Sequence, residues 1–264
     1  MENFNYHRPT KPADAVKLMK KAKDGKFLSG GMTLLPTMKQ GLAAPSDIID
    51  LGGLNNVGVT AAAAKVTVKA GTPHADVAAD KGVKKAIPAL AALASGIGDP
   101  HVRNRGTIGG SIANNDPAAD YPSAVVGLNA TVITSSRKVP GDKFFTGMFS
   151  TALKDDEIVT AVEFPVPKRA AYAKFPNPAS RYAMVGVFVA ELADGSVRVA
   201  VTGAGPKVFR VPEMEKALQA KFSADAIAGI SVSAKGLNSD IHASPEYRAH
   251  LVNVLARRAV AAAK

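Results

Sequence analysis

Apolar residues recur at helical spacing between Thr10 and Asp24, which predicts an amphipathic helix near the start of the chain. Thr10 is placed to cap this helix, and Pro12 falls in its first turn, where proline costs no helical hydrogen bond. Short runs of apolar and β-branched residues predict strands at Lys26–Leu28, Ile48–Leu51, Val66–Ala70 and Ala130–Thr134.

A nearly continuous apolar stretch from Ala86 to Ile97 predicts a buried helix. Another helix is predicted to begin at Asp116-Pro117, a typical cap and first turn, and to run through Leu128. Helical and strand patterns are mixed without the regular βαβ alternation of a parallel sheet. The predicted fold class is therefore α+β.

A change of pattern at Phe164–Arg169, where two prolines interrupt a strand, predicts a domain boundary. Beyond it, two strand patterns, Met184–Leu192 and Ser196–Val201, flank Asp194-Gly195, which predicts an antiparallel hairpin. Helices are predicted to start near Pro212, Ser223 and Ser244-Pro245. We expect one domain over residues 1–168 and a smaller one over residues 169–264, with an antiparallel sheet packed by helices.

The amino-acid composition excludes several classes of protein and of functional site. Of the 264 residues, 47% are hydrophobic and 21% are charged, which is typical of a folded globular chain. No apolar run approaches the ~18–20 residues that span a bilayer, and no secretory signal pattern opens the chain, so we expect a cytoplasmic protein. The absence of cysteine excludes disulfides, a cysteine nucleophile and an iron–sulfur cluster held by this chain. The five histidines lack metal-ligand spacing, so no metal site and no catalytic set are predicted.

The net charge of +11 has two interpretations, a nucleic-acid surface or an attraction to an acidic partner. Aromatic residues make up only 6% of the chain, the basic residues are scattered, and no nucleic-acid recognition motif is present. We therefore expect no nucleic-acid partner.

Two glycine-rich segments carry the candidate chemistry, Ser29–Thr33 and a loop predicted over Asn104–Asp120. The Walker-type, G-x-G-x-x-G and G-x-S-x-G motifs are absent, which disfavours those nucleotide folds and a serine hydrolase. Either segment alone is more often a tight turn, but together they suggest two cradles for a phosphate-bearing cofactor. The amides predicted to be exposed are those of Gly30, Gly31, Met32, Thr107, Ile108, Gly109 and Gly110, and hydroxyl donors are expected from Thr33, Thr107 and Ser111.

Several motifs run in order along the chain: Ser29–Lys39, Asp99–Ser111, Asp116–Asp120, Tyr172–Phe175 and His242–Arg248. In these stretches the sequence resembles the FAD-binding medium subunit of molybdenum hydroxylases, the carbon monoxide dehydrogenase and xanthine dehydrogenase family. The resemblance implies a two-part FAD-binding domain of the PCMH (vanillyl-alcohol-oxidase-like) type, followed by a C-terminal domain of the carbon monoxide dehydrogenase flavoprotein type.

The resemblance also implies a set of FAD-binding residues. They are Phe27, Leu28, Ser29, Gly30, Gly31, Met32, Thr33, Leu34, Ile97, Thr107, Ile108, Gly109, Gly110, Ser111, Asp120, Val159, Lys174 and Tyr182. Asp120 would bond hydroxyls of the flavin sugar chain, Lys174 and Tyr182 would lie near the ring, and Ile97 and Val159 would form an apolar wall. The alternatives are a helix-start carboxylate, a solvated lysine and core side chains. Between Lys174 and Tyr182 the sequence departs from its relatives, with prolines and Arg181.

By the same resemblance, the chain is a flavoprotein oxidoreductase subunit that takes electrons from a small iron–sulfur subunit and passes them to an external acceptor. Molybdenum and two-iron two-sulfur clusters would belong only to partners, a large and a small subunit, in a single heterotrimer or a dimer of heterotrimers. A stand-alone flavoprotein oxidoreductase and a basic, non-redox binding module are the alternatives.

Overall fold

The computed structural model describes residues 1–264. Its N-terminal lobe (residues 5–54) is a three-stranded parallel sheet in the order β1-β3-β2, with α1 packed on it. The elements are β1 Asn5–His7, α1 Pro12–Lys21, β2 Gly25–Leu28, α2 Leu34–Lys39, β3 Asp47–Asp50 and a 3-10 helix at Leu51–Leu54. The core of this lobe is small: Ala15 and Ile49 cluster with Ile158 of the central lobe, and Met38 and Ile48 are also buried.

The central lobe (residues 59–165) is built on a five-stranded antiparallel sheet in the order β4-β5-β10-β6-β7. Its elements are β4 Val59–Ala61, β5 Lys65–Lys69, α3 His74–Ala79, α4 Lys81–Ala86, α5 Pro88–Ser95, α6 Pro100–Arg105, α7 Ile108–Asn114, α8 Tyr121–Gly127, β6 Thr131–Thr134, β7 Lys138–Pro140, α9 Gly141–Phe144, β8 Phe145–Gly147, β9 Ser150–Thr151 and β10 Val159–Pro165. Strands β8 and β9 form a separate hairpin.

The C-terminal lobe (residues 169–264) is an antiparallel sheet in the order β11-β12-β13-β14. Its elements are β11 Arg169–Pro176, β12 Ala183–Glu191, β13 Val197–Thr202, β14 Phe209–Arg210, α10 Pro212–Ala220, a 3-10 helix at Ala224–Ile227 and α11 Pro245–Ala262. One sheet face, with Val187 and Val199, packs on α10 and α11, while the opposite face, with Phe188 and Ala200, joins the core of the central lobe. Residues Ala183–Ala190 of β12 are consequently all buried.

The structure confirms the α+β class and the hairpin at Asp194-Gly195, where Gly195 adopts a φ of +85°. The predicted helix start at Asp116-Pro117 is wrong. The Asp116 carboxylate accepts a hydrogen bond from the Ala118 amide and forms a local turn, so helix α8 begins only at Tyr121. Nor does Thr10 cap α1, because the extended Lys11 occupies the cap position without a side-chain bond.

The predicted loop over Asn104–Asp120 is largely helical. Helix α6 ends at Arg105, Gly106 and Thr107 make the turn, and α7 follows immediately at Ile108. The Thr107 hydroxyl caps α7 by accepting a hydrogen bond from the Gly110 amide. None of the helices combines the length and the hydrophobicity needed to span a bilayer.

Candidate functional site

The structure brings the two glycine-rich segments into direct contact. The hydroxyl oxygens of Ser29 and Thr107 lie 2.8 Å apart and share a hydrogen bond. Gly30 packs on the backbone at Arg105, where a Cβ atom would overlap the Arg105 carbonyl oxygen. Gly30 is therefore required by this close approach of the two segments, independently of any ligand.

The first segment presents a row of unpaired backbone donors. It follows the carboxyl end of β2 and leads into α2, a place where open α/β sheets commonly bind ligands. The amides of Gly30, Gly31, Met32 and Thr33 donate to no group of the chain. Gly31 has a φ of +76°, a conformation that side chains rarely adopt and that turns the segment. Four consecutive free amides are donors suited to an anion.

The second segment contributes fewer donors than predicted. The amides of Ile108 and Gly109 are not exposed but donate to the carbonyl oxygens of Thr72 and Ala70, at 3.2 and 2.9 Å. Gly109 lies so close to Ala70 that an added Cβ would be 2.5 Å from the Ala70 Cβ, so this glycine serves helix–strand packing.

Of the four amides from Thr107 to Gly110, only that of Thr107 is unpaired, because the Gly110 amide donates to the Thr107 hydroxyl at 3.1 Å. A Cβ at Gly110 would meet just that hydroxyl, at 3.0 Å, and the Ser29 Cβ, at 3.8 Å. Gly110 therefore lies where the two segments face each other, and the next residue, Ser111, is half-buried.

Asp120 is the centre of a buried polar group. Its side chain is 4% exposed and accepts a hydrogen bond from the Tyr172 hydroxyl at 2.6 Å. The Lys174 ammonium lies 3.0 Å from Oδ1 and 3.1 Å from Oδ2 of the same carboxylate. Burial raises the pKa of Asp120, whereas the charge of Lys174 and the Tyr172 hydrogen bond act to lower it. Asp120 and Lys174 are thus an ion pair rather than two independent groups.

Tyr172 was missed as a site residue from sequence. It lies two positions before Lys174 on β11, so both side chains point to the same sheet face, and this alternation was the available signal. The Lys174 ammonium also donates to the Gly96 carbonyl at 3.1 Å. The next two carbonyls, of Ile97 and Gly98, accept bonds from Arg103 on α6, which connects the ion pair to the segment that meets Gly30.

The remaining predicted residues lie around these groups. Phe27 and Leu28 end strand β2 and Leu34 begins α2, so they flank the free amides; all three are half-buried. Ile97 is half-buried and packs on the central core, while Val159 is a buried core residue of β10. Tyr182 is 48% exposed, and its pKa is raised by burial and by the charges of Asp116 and Asp120.

A second buried pair, His74 and Tyr121, also escaped sequence reasoning. Their ring centroids are 5.3 Å apart, and neither Nδ1 of His74 nor the hydroxyl of Tyr121 has a hydrogen-bond partner. Burial, aided by the nearby charge of Arg103, lowers the pKa of His74 to about 4. The His74 amide donates to the Gly106 carbonyl at 2.9 Å, so His74 is hydrogen-bonded to the second glycine segment.

Comparison with known proteins gives matches along the whole chain. The family described as "FAD binding domain in molybdopterin dehydrogenase" matches residues 2–167, and "CO dehydrogenase flavoprotein C-terminal domain" matches residues 170–263. The nicotine 6-hydroxylase medium subunit of Paenarthrobacter nicotinovorans is 37% identical, with 97% of this chain and 96% of the relative covered. The carbon monoxide dehydrogenase medium chain of Hydrogenophaga pseudoflava is 30% identical over 98% of this chain and 96% of its own.

Among solved structures, reconstituted CO dehydrogenase from Oligotropha carboxidovorans superposes with a TM-score of 0.91 and 29% identity. The superposition covers 98% of this chain and 96% of that chain. These matches confirm the resemblance inferred from the motifs, the fold that it implies and FAD as the cofactor. The chain belongs to the family of FAD-binding medium subunits of molybdenum-containing hydroxylases.

Proposed function

We propose that the chain holds FAD across the contact between its two glycine-rich segments. The observation that carries this proposal is the row of four unpaired amides from Gly30 to Thr33, which offers donors to a pyrophosphate without a side-chain competitor. The free amide of Thr107 and the hydroxyls of Thr33 and Ser111 extend this donor set. Because the amides of Ile108 and Gly109 already donate to carbonyls of the chain, these residues shape the site rather than donate to the cofactor.

The flavin ring is proposed to lie toward Lys174 and Tyr182. In this arrangement the Asp120–Lys174 pair presents one carboxylate and one ammonium at a water-poor surface, where hydrogen bonds to ribityl hydroxyls are strong. Phe27, Leu28 and Leu34 supply apolar flanks and Ile97 an apolar wall, with Val159 behind it in the core.

Bound FAD supplies both one- and two-electron chemistry, and the chain binds, orients and tunes it. We propose that electrons arrive from a small iron–sulfur subunit and leave to an external acceptor, with substrate oxidised at molybdenum in a large subunit. The names of the relatives as medium subunit and medium chain support such partners, in a single heterotrimer or a dimer of heterotrimers. The domain division at residues 168/169 is part of the proposal, and the ranges of the two family matches support it.

The test is FAD retention by the full chain with a valine at Gly110, compared with a valine at Gly229. A side chain at Gly110 would enter the contact between the two segments, whereas nothing lies within 4 Å of a Cβ at Gly229. We expect Gly110→Val to lose the visible flavin absorbance and Gly229→Val to keep it. Equal flavin content in both variants would refute the placement of the pyrophosphate.

The electron-transfer role is tested on the purified assembly. Reduction by substrate should bleach the flavin bands only when the cysteine-rich small subunit is present. Bleaching of the isolated chain by substrate would instead support the stand-alone oxidoreductase.

A further inference from the structure

The hydroxyl of Tyr172 joins two lobes of the protein at a single carboxylate. Tyr172 lies on β11 of the C-terminal lobe, and Asp120 immediately precedes α8 in the central lobe. The 2.6 Å between the hydroxyl and Asp120 Oδ1 is the short distance typical of a hydrogen bond to a charged oxygen. A tyrosine hydroxyl has one proton to donate, so this donor is fully used by Asp120. The function proposed above leaves this bond without a role.

The neighbouring strand leaves space for this hydroxyl. Gly186 pairs with Lys174 across β11 and β12, in the stretch of β12 where every residue is buried. Its φ is not positive, so backbone conformation does not require glycine there. A Cβ at Gly186 would instead overlap the Tyr172 hydroxyl, and it would lie 2.9 Å from Tyr172 Cζ and 3.0 Å from Thr202 Cγ2. Glycine inside a strand weakens the strand and often marks a close approach of this kind. The fold therefore omits a side chain at the place where the hydroxyl reaches Asp120.

The two oxygens of the Asp120 carboxylate are unequally occupied. Oδ1 accepts from the Tyr172 hydroxyl and lies 3.0 Å from the Lys174 ammonium, whereas Oδ2 has only that ammonium, at 3.1 Å. An ionised carboxylate has about four acceptor sites, so the remaining acceptor capacity is greater on Oδ2. Tyr172 and Lys174 are the only side chains that donate to this carboxylate. Tyr172 is thus the group that makes the two oxygens different.

The same hydrogen bond helps to keep Asp120 ionised. Burial raises the pKa of Asp120, and the charge of Lys174 and the hydrogen bond from Tyr172 act against burial. The other titratable groups that face this carboxylate are Tyr121 and Tyr182, since its charge raises the pKa of each. Both of these tyrosines are neutral near neutral pH. Loss of the Tyr172 hydroxyl would leave Lys174 alone against burial, so the pKa of Asp120 would rise further.

We propose that Tyr172 is a positioning residue for FAD, which acts through Asp120. Its hydroxyl occupies Oδ1 and leaves Oδ2 as the acceptor for a hydroxyl group of the flavin sugar chain. This inference rests on the proposed function, in which Asp120 bonds that sugar chain. Tyr172 itself does not touch the cofactor; it sets the orientation and the negative charge of the carboxylate that does. The affinity for FAD then depends on pH through Asp120, and Tyr172 determines the pH range.

The experiment compares the wild-type chain with Tyr172→Phe, which keeps the ring and removes only the hydroxyl. Tyr6→Phe is the matched control, because the Tyr6 hydroxyl also donates to a carboxylate, that of Asp50 at 2.5 Å, but at an exposed position of the N-terminal lobe. The dissociation constant of FAD is measured on the full chain, first stripped of cofactor, from about pH 5 to about pH 8. The Asp120 carboxyl is titrated in the cofactor-free chain by carbon NMR, and its signal is assigned by its absence from Asp120→Asn.

We expect Tyr172→Phe to weaken FAD binding by about threefold to tenfold near pH 8, which is part of the contribution of one hydrogen bond to a charged group. The affinity should fall further as the pH decreases, and this fall should begin at a higher pH than in wild type, because protonated Asp120 is a weaker acceptor. The NMR titration should give a higher pKa of Asp120 in Tyr172→Phe than in wild type. Tyr6→Phe should match wild type in both measurements.

A loss of affinity that is equal at every pH, with an unchanged pKa of Asp120, would overturn the inference, since lost packing alone would act in this way. Unchanged affinity at every pH would overturn it as well. If the wild-type chain does not bind FAD, the proposed function is refuted, while a raised pKa of Asp120 in Tyr172→Phe would still show that the hydroxyl controls the carboxylate. FAD binding by wild type, with neither titration shifted in the variant, would refute the inference alone.

Discussion

His74 should make the stability of this protein fall as the pH drops below neutrality. Its imidazole is 4% exposed, packs against Tyr121 and has an Nδ1 without a partner. The pKa of His74 is lowered from 6.5 to about 4, first by burial and then by the charge of Arg103. Between these two values the unfolded chain binds a proton that the folded chain excludes. The contribution of neutral His74 is therefore complete above the unfolded pKa and is lost as the pH falls toward the folded pKa.

The size of the effect follows from the two pKa values. At a pH of about 5 the unfolded histidine is almost fully protonated and the folded one is mostly neutral. The difference in proton binding then lowers the free energy of unfolding by about 2 kcal/mol relative to neutral pH. His74→Phe keeps a ring against Tyr121 and removes the titrating group. The free energy of unfolding of this variant should therefore not fall by this amount as the pH drops to 5.

The measurement is urea unfolding of the full chain, followed by far-ultraviolet circular dichroism because the protein has no tryptophan. Free energies of unfolding are compared near neutral pH and near pH 5. The difference in free energy of unfolding between wild type and His74→Phe should change by about 2 kcal/mol from neutral pH to pH 5. His101→Phe removes an exposed imidazole from α6 and is the control. Parallel pH dependence in wild type and His74→Phe would refute the reasoning.

Two further substitutions test the contacts that build the site. Asp120→Ala would leave the buried Lys174 ammonium without its counter-charge and should lower the free energy of unfolding by about 3–5 kcal/mol. Asp120→Asn combined with Lys174→Met should recover much of that loss of stability. If stability is not recovered, the ion-pair explanation is contradicted. Gly30→Ala would place a Cβ on the Arg105 carbonyl and should cost about 1–3 kcal/mol in urea unfolding, whereas Gly229→Ala, in open space, should be nearly neutral; equal costs would argue against the close contact.

Local patterns predicted the elements whose shape is set by neighbouring residues. The β12–β13 hairpin was predicted because strand alternation and the Asp194-Gly195 turn are both local features. Helix α7 was not, because its glycines have low helix propensity. Its geometry depends on the Thr107 cap and on the packing of Gly109 against Ala70, a contact between segments far apart in sequence.

The candidate site shows the same division. The resemblance named Asp120 and Lys174 separately, but no spacing rule joins residues 54 positions apart, and their pairing appears only when the fold brings β11 next to the residue that precedes α8. Hydrogen-bond use was equally hidden, since the sequence cannot tell that the amides of Ile108 and Gly109 are taken by Thr72 and Ala70. Which glycines face a ligand and which face the protein is decided by tertiary packing.

The small core of the N-terminal lobe affects how a cofactor would enter. Ile158 of the central lobe packs into the core of this lobe. The apolar clusters of the central and C-terminal parts are much larger, with 32 and 18 buried residues. Regions with so few buried apolar contacts open locally at a free energy far below that of global unfolding. The Ser29–Thr33 segment belongs to this lobe. Local opening of the lobe would therefore let FAD enter while the central and C-terminal lobes stay packed together. The affinity for FAD then includes the free energy of closing the lobe. Slower amide hydrogen exchange in the first fifty residues would therefore report directly on FAD binding.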